Sequence, residues 1–126
     1  MKNFFLVSFL VTSVFYSKAQ TKEELQKFHT GTFSYKGMES EVQIIRTKKV
    51  QKEIFNKGKS RIIMKIEWLD DSTYVLTVKK IIDSPGCIKK GDKIFATIKS
   101  TNGNTYNCAY KSANCGSGET VFIKLE

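Results

Sequence analysis

The chain has only one histidine, one proline and three cysteines in 126 residues, and these scarcities exclude several classes of function. With His29 as the single histidine, a multi-histidine metal site is excluded, and a histidine-based catalytic relay would depend on one position. The sequence contains no phosphate-binding loop, no dinucleotide fingerprint and no zinc-ligand spacing. We therefore expect no catalytic residues, no metal site and no cofactor.

Only one stretch of the chain is strongly apolar, and it lies at the N-terminus. Residues 1–19 begin with one charge, continue through a short apolar core and end with small residues at Ser17 and Ala19. This pattern is typical of a secretory signal peptide that is cleaved after Ala19, before Gln20. Because no second apolar run follows, we expect no transmembrane segment after cleavage and a secreted or periplasmic protein with a single domain over residues 20–126.

Acidic residues are fewer than basic ones. Removal of residues 1–19 takes away two lysines and lowers the formal net charge from +9 to +7. Lysines gather at predicted turns, and Lys48, Lys49 and Lys52 form a predicted basic patch that would attract an anionic envelope component. Because lysine lacks the planar fork of arginine, which binds phosphate with two hydrogen bonds, we expect no specific nucleic-acid binding.

Helical periodicity is nearly absent too. Thr21 and Glu24 have the spacing of a capping box, which predicts one short helix over residues 21–29. From there on, apolar and polar residues alternate between turn residues, and this pattern is typical of all-β proteins. Strands are predicted at residues 32–36, 41–47, 50–55, 61–69, 74–79, 93–100, 105–111 and 120–126.

Eight short strands with tight connections favour antiparallel pairing between neighbours, and closing the sheet would remove its exposed edges. We therefore predict a small antiparallel up-and-down β-barrel with a short N-terminal helix, and the alternative is a β-sandwich. The residues predicted to face inward are apolar and share the alternation of their strands: Phe33, Tyr35, Val42, Ile44, Ile62, Met64, Ile66, Trp68, Tyr74, Leu76, Val78, Ile94, Ala96, Ile98, Tyr106, Tyr110, Val121, Ile123 and Leu125.

The three cysteines indicate disulfide chemistry, because an exported chain meets an oxidising compartment. Three thiols allow one bond and leave one cysteine over. We predict that Cys108 pairs with Cys115, which would close a loop of eight residues. In an up-and-down meander the connections that carry Cys87 and Cys115 lie at the same end of the barrel, so that pairing is the alternative.

Two resemblances to known families can be identified in the chain. Gly31-Thr32-Phe33, after the helix and at the start of the first predicted strand, resembles the Gly-x-Trp opening of lipocalins, with phenylalanine in place of the tryptophan that defines the motif. The family's ligand transport is therefore not carried over. A longer resemblance, to an uncharacterised group of small exported proteins from Bacteroidota, covers most of the mature chain and implies a lineage and a compartment but no activity. It rests on four segments: Gly31-x-Phe33-x-Tyr35, Ile44-Ile45-Arg46-Thr47, Trp68-x-Asp70-Asp71-x-x-Tyr74-x-Leu76 and Cys87-Ile88-Lys89-Lys90-Gly91-Asp92.

We expect an exported binding or interaction module without catalytic activity. An eight-stranded barrel has room for its own side chains or for one small ligand. Four aromatic residues, Trp68, Tyr74, Tyr106 and Tyr110, are predicted to line a site for a small apolar ligand. The alternative is an envelope structural or protein-interaction domain with a solid core and a basic surface. A cavity inside the barrel would distinguish the two.

Overall fold

The computed structural model describes residues 20–126, and the predicted signal peptide, residues 1–19, lies outside the described residues. Over residues 20–126 the chain forms one helix, α1 (Lys22–Gln26), and eight strands: β1 (Gly31–Tyr35), β2 (Gln43–Arg46), β3 (Val50–Phe55), β4 (Ser60–Trp68), β5 (Thr73–Ile82), β6 (Lys93–Asn102), β7 (Thr105–Ser112) and β8 (Gly116–Lys124). Each strand pairs antiparallel with the next, and β8 pairs with β1. The prediction of an antiparallel up-and-down barrel with a short N-terminal helix is confirmed.

Helix α1 begins at the predicted capping box. The Thr21 hydroxyl accepts a hydrogen bond from the Glu24 amide at 3.1 Å, and the Glu24 carboxylate accepts one from the Thr21 amide at 2.9 Å. The helix is shorter than predicted, because the chain turns after Gln26 and inserts the fully buried Phe28 into the end of the barrel. Among residues 20–126 there is no helix with the length and hydropathy that a membrane crossing needs.

The two ends of the barrel differ. At one end lie α1 and the short turns that follow β2, β4 and β6, and we call this the helix end. At the other end lie the connections over residues 36–42, 56–59, 83–92 and 113–115, which we call the rim. Because all four rim connections lie at the end opposite α1, the helix covers only one opening of the barrel.

Side chains of alternating residues face the inside of the barrel, as the sequence pattern predicts. Met64 and Ile66 on β4 are each 2% exposed, and Tyr74 on β5 is 1% exposed. On β5 an extra residue, Lys79, forms a bulge opposite the Ile63–Met64 step of β4. Beyond the bulge the strand continues to Ile82, past the predicted end.

The prediction that Val121 and Ile123 of β8, and Leu125 after it, face inward is wrong. Phe122 is buried and pairs with the inward-facing Tyr106 of β7, so Val121 and Ile123 face outward, and Leu125 is 44% exposed beyond the strand. Residues 121–123 are all apolar, so alternation does not show which of them face the inside of the barrel. Pairing with β7 decides it, because the rings of Phe122 and Tyr106 stack at 4.8 Å.

The predicted disulfide between Cys108 and Cys115 is wrong, because the structure pairs Cys87 with Cys115, their Cα atoms 5.3 Å apart, and Cys108 is free. Cys108 lies in the middle of β7, and the strand rises ~13 Å from there to Ser112 at ~3.3 Å per residue. A disulfide needs Cα atoms within ~7 Å. Cys87 and Cys115 both lie in the rim, as the alternative pairing requires, and their bond ties two rim connections together.

Candidate functional site: a cavity in the barrel above a buried arginine

A cavity of about 500 Å³ lies inside the barrel and reaches the rim. This volume is within the ~300–1,000 Å³ range of small-molecule sites. Its walls are built from inward-facing positions of β1 and β3 to β8: Tyr35, Gln51, Glu53, Ile62, Met64, Tyr74, Leu76, Ile94, Ala96, Cys108, Tyr110, Ser112, Thr120 and Phe122. Four rim residues complete it: Lys36, Met38, Ile88 and Cys115. The walls are therefore mostly apolar, with a few polar groups.

Only two of the four aromatic residues predicted to bind a ligand line this cavity. Tyr74 contributes to the floor and Tyr110 to the wall near the rim. Tyr106 and Trp68 lie outside the lining, towards the helix end. Tyr106 packs against Phe28 at 4.9 Å between ring centroids, and Trp68 packs against Tyr74 at 4.5 Å.

The wall at Tyr110 depends on a glycine in the neighbouring strand. Gly118 lies opposite Tyr110 in the β7–β8 pair. A Cβ atom at Gly118 would stand 2.7 Å from the Tyr110 hydroxyl oxygen and 3.0 Å from the ring. Because such approaches are too close for real Cβ atoms, Gly118 makes room for the ring across β8. Strand β8 begins at Gly116, four residues before its predicted start, and Gly118 therefore lies inside the strand.

The fully buried guanidinium of Arg46 lies beneath the cavity floor. Its Nε donates to Gln51 Oε1 at 2.8 Å, and Nη1 donates to the carbonyl of Phe28 at 2.8 Å. Nη2 donates to the hydroxyls of Tyr106 at 3.0 Å and Tyr74 at 3.4 Å, which also bond to each other at 2.9 Å. Arg46 therefore joins three strands to the segment that follows α1.

No acid neutralises this buried charge at close range. Among residues 20–126, no Asp or Glu oxygen lies within 4.0 Å of the Arg46 nitrogens. Aromatic rings surround the guanidinium instead, with ring centroids 4.6 Å away at Phe33, 4.9 Å at Tyr74 and 5.7 Å at Phe122. Cation–π attraction in a dry site stabilises such a charge.

The polar groups of the cavity floor are neutral. Burial raises the pKa of Tyr74 well above its usual range and also raises the pKa of Tyr106. Burial likewise raises the pKa of the Cys108 thiol, whose sulfur lies 3.8 Å from the Tyr74 hydroxyl. The floor therefore offers hydroxyl, thiol and amide groups, and the thiol is protonated and poorly nucleophilic at neutral pH.

A carboxyl group, Glu53, lies on the cavity wall. It faces inward on β3 between Ile44 of β2 and Ile62 of β4 in the strand register. The Tyr35 hydroxyl donates to Glu53 Oε1 at 2.8 Å. Burial raises the pKa of Glu53 above its usual value, while the hydrogen bond from Tyr35 and the positive charge of Arg46 act in the opposite direction.

The helix end is closed by a second set of contacts. The His29 ring stacks on Trp68 at 3.5 Å between centroids, and its Nε2 lies 2.9 Å from the Asp71 carbonyl oxygen. Gln26 donates to the Asp71 carboxylate at 3.2 Å. These contacts, with the Arg46 bond to Phe28, hold the N-terminal segment over the opening, so the rim is the route into the cavity.

The predicted basic patch is exposed and separate from the cavity. Lys48 and Lys49 lie in the turn between β2 and β3 at the helix end, and Lys52 lies on the outer face of β3. None of the three lines the cavity. An anion held by this patch would therefore lie on the outside of the barrel.

The predicted interior lacks the inward-facing Ser112 and Thr120, and it lacks three longer polar side chains, Arg46, Gln51 and Glu53. Arg46 continues the inward alternation of Val42 and Ile44, and Gln51 and Glu53 alternate around the exposed Lys52. Alternation alone would have identified all three. They were omitted because the prediction admitted only apolar side chains, as charged residues are rarely buried without a partner.

In the part of the chain that the structure describes, no cluster of three or more His, Cys, Asp or Glu residues is arranged to hold a metal ion. No family model, no curated protein and no solved structure matches the chain. The resemblances to lipocalins and to the Bacteroidota group stay predictions.

Proposed function

We propose that this protein is a binding module, without catalytic activity, that holds a small apolar molecule inside its barrel. The observation that carries the proposal is the cavity of about 500 Å³ with its mostly apolar wall and its access from the rim. Barrels of eight strands enclose either packed side chains or one small ligand, and an open volume of this size favours the second case.

The arrangement of polar groups supports the same function. Arg46 is bonded to four partners below the floor, so the floor is held in place before any ligand enters. A preformed site loses less entropy on binding than one that must be ordered by its ligand. The disulfide between Cys87 and Cys115 restrains two connections of the rim in the same way.

We propose further that the protein works in a secreted or periplasmic setting after cleavage behind Ala19. The apolar run over residues 1–19 supports this proposal, and a disulfide is compatible with an oxidising compartment. A small apolar molecule outside the cytoplasm gains solubility from a carrier of this kind.

A second candidate function is attachment to an anionic envelope component through the outer surface. The exposed Lys48, Lys49 and Lys52 favour it. This function needs no cavity and could operate beside ligand binding, because the lysines lie outside the barrel.

The first function is tested with a neutral fluorescent probe, N-phenyl-1-naphthylamine, titrated into the mature protein. Ala96 lines the cavity and is 3% exposed, so Ala96→Phe should place a ring inside the cavity and lower the rise in probe fluorescence. The matched control is Ala109→Phe, because Ala109 lies on the neighbouring strand between the inward-facing Cys108 and Tyr110 and so faces outward. Equal probe binding by the two variants would contradict a site inside the barrel.

A further inference from the structure

The carboxyl group of Glu53 lacks a cationic partner. Its Oε1 accepts one hydrogen bond, from Tyr35, and within residues 20–126 its Oε2 accepts none. No Lys, Arg or His nitrogen of the described chain lies within 4.0 Å of either oxygen. A half-buried carboxylate with one neutral donor has spare acceptor capacity, which a ligand entering the cavity can use.

The neighbours of Glu53 on the inner face strengthen a hydrogen bond that a ligand donates to it. Ile44 and Ile62 stand on either side of it across the sheet. Apolar flanks exclude water from the two sides of the carboxylate, and a hydrogen bond to a charged group is stronger in such surroundings than in water. The position therefore combines an apolar wall with one strong acceptor.

The other charged groups near the cavity do not supply the missing cation. The charge of Arg46 lowers the pKa of Glu53, against the larger effect of burial, which raises it. Arg46 makes no salt bridge with that carboxylate, because it directs its hydrogen bonds to Gln51, Phe28, Tyr74 and Tyr106 below the floor, and it does not line the cavity. Lys36 lines the cavity at the rim but is exposed to solvent. Three further lining groups, Tyr35, Tyr74 and Cys108, have pKa values that burial raises, so they supply no positive charge either.

We propose that the preferred ligand is an apolar molecule with a primary amine, whose ammonium group donates to Glu53 while its apolar part packs against Met64, Leu76 and Phe122. This inference rests on the proposed function of the cavity. An ammonium head gives a charge-assisted hydrogen bond, a hydroxyl head gives a weaker one, and a carboxylate head meets a like charge at Glu53.

The net positive charge of the protein does not oppose the binding of a ligand with an ammonium group. The cations gathered on the outside are separated from the cavity by the barrel wall, and at ~0.15 M salt the field of exposed charges is screened within about 8 Å. Inside the barrel the buried Arg46 lies below the floor and does not line the cavity, so the nearest charge to the bound head group is that of Glu53. Recognition is decided inside the barrel, where screening by salt is weak.

The test is displacement of N-phenyl-1-naphthylamine by decylamine, decanol and decanoate, which share one chain length and differ in the head group. All three are used below the concentration at which they form micelles. With the parent protein we expect decylamine to displace the probe at a concentration about tenfold lower than decanoate, with decanol between them. A decanoate that displaces the probe as well as decylamine would overturn the proposal.

Glu53→Gln keeps the shape of the side chain and removes its charge, so it should bring the three displacement concentrations within about threefold of one another. Glu119→Gln is the matched control, because Glu119 is an exposed acid on β8 beside the lining residue Thr120. It should keep the tenfold preference. If Glu53→Gln keeps that preference, the proposal is wrong.

Failure of this inference and failure of the proposed function give different results. A probe that binds and is displaced equally by all three compounds leaves the cavity as a ligand site and refutes amine selectivity. A parent protein that binds neither the probe nor any of the three compounds refutes both. If Glu53→Gln does not fold, the ranking of head groups with the parent protein decides, since that ranking needs no variant.

Discussion

Replacement of the buried Arg46 by methionine tests how the floor of the cavity is held together. Arg46→Met keeps a long side chain against the surrounding rings but removes every donor. The hydroxyls of Tyr74 and Tyr106 still bond to each other at 2.9 Å, so they lose little. The carbonyl of Phe28 and the Oε1 of Gln51 lose the donors that now reach them at 2.8 Å.

Each orphaned buried acceptor costs about 1–3 kcal/mol, and release of the guanidinium from its dry site offsets part of the loss. We therefore expect Arg46→Met to lower the free energy of unfolding by about 3 kcal/mol, a large share of the ~5–15 kcal/mol of a typical domain. At ~4–8 °C per kcal/mol for a domain near this size, the midpoint temperature should fall by at least about 12 °C.

Thermal unfolding followed by circular dichroism measures this change. The control is Arg61→Met, because Arg61 is exposed on the outer face of β4 and should shift the midpoint by only a few degrees. A double variant, Arg46→Met with Gln51→Leu, should recover part of the loss, since it removes one orphaned acceptor. If Arg46→Met melts within about 3 °C of Arg61→Met, the buried hydrogen bonds do not support the barrel as described.

Four further outcomes are expected. Intact-mass measurement of protein from a native-like host should give a chain that starts at Gln20, and a folded soluble product that retains residues 1–19 would contradict export. Denatured, non-reduced protein should contain one free thiol, and peptide mapping should assign it to Cys108; a labelled Cys87 would overturn the pairing. Burial raises the pKa of Glu53 in the folded protein above the 4.5 of the unfolded chain. The protonated carboxyl therefore stabilises the fold fully at a pH below 4.5, and this stabilisation is lost as the pH rises through the pKa of the folded protein. The midpoint temperature should thus fall more between about pH 4 and pH 7 for the parent than for Glu53→Gln, and parallel curves would count against the raised pKa. Replacement of Lys48, Lys49 and Lys52 together by glutamine should weaken heparin or lipopolysaccharide binding without changing stability, and binding by the parent that persists at ~1 M salt would refute an electrostatic attachment.

Strand number and the barrel itself could be predicted from the sequence, because apolar alternation and turn residues act locally and repeat along the chain. On β4 the alternation of Ile62, Met64 and Ile66 is enough to identify the inner face. On β8 it is not, since residues 121–123 are all apolar and only pairing with β7 sets the phase.

The site was harder to predict than the fold. Tyr74 and Tyr110 were expected at a ligand site and line the cavity, whereas the polar residues that shape it were not expected. A buried arginine without a salt bridge is tolerated because a carbonyl, an amide and two hydroxyls from distant segments converge on it, within a shell of aromatic rings. Such convergence is a property of the closed barrel, and no single segment of the chain contains it. The disulfide is a similar case, because its geometry depends on which connections share the rim.

Whether the cavity binds a small apolar molecule is tested most directly by titrating isotope-labelled protein with decylamine and following the amide chemical shifts. We expect saturable shifts at cavity positions such as Glu53, Met64, Ala96 and Tyr110, and unchanged amide shifts at Lys48 and Lys49 on the outside of the helix end. Shifts confined to the outer surface, or none at saturating ligand, would contradict binding inside the cavity.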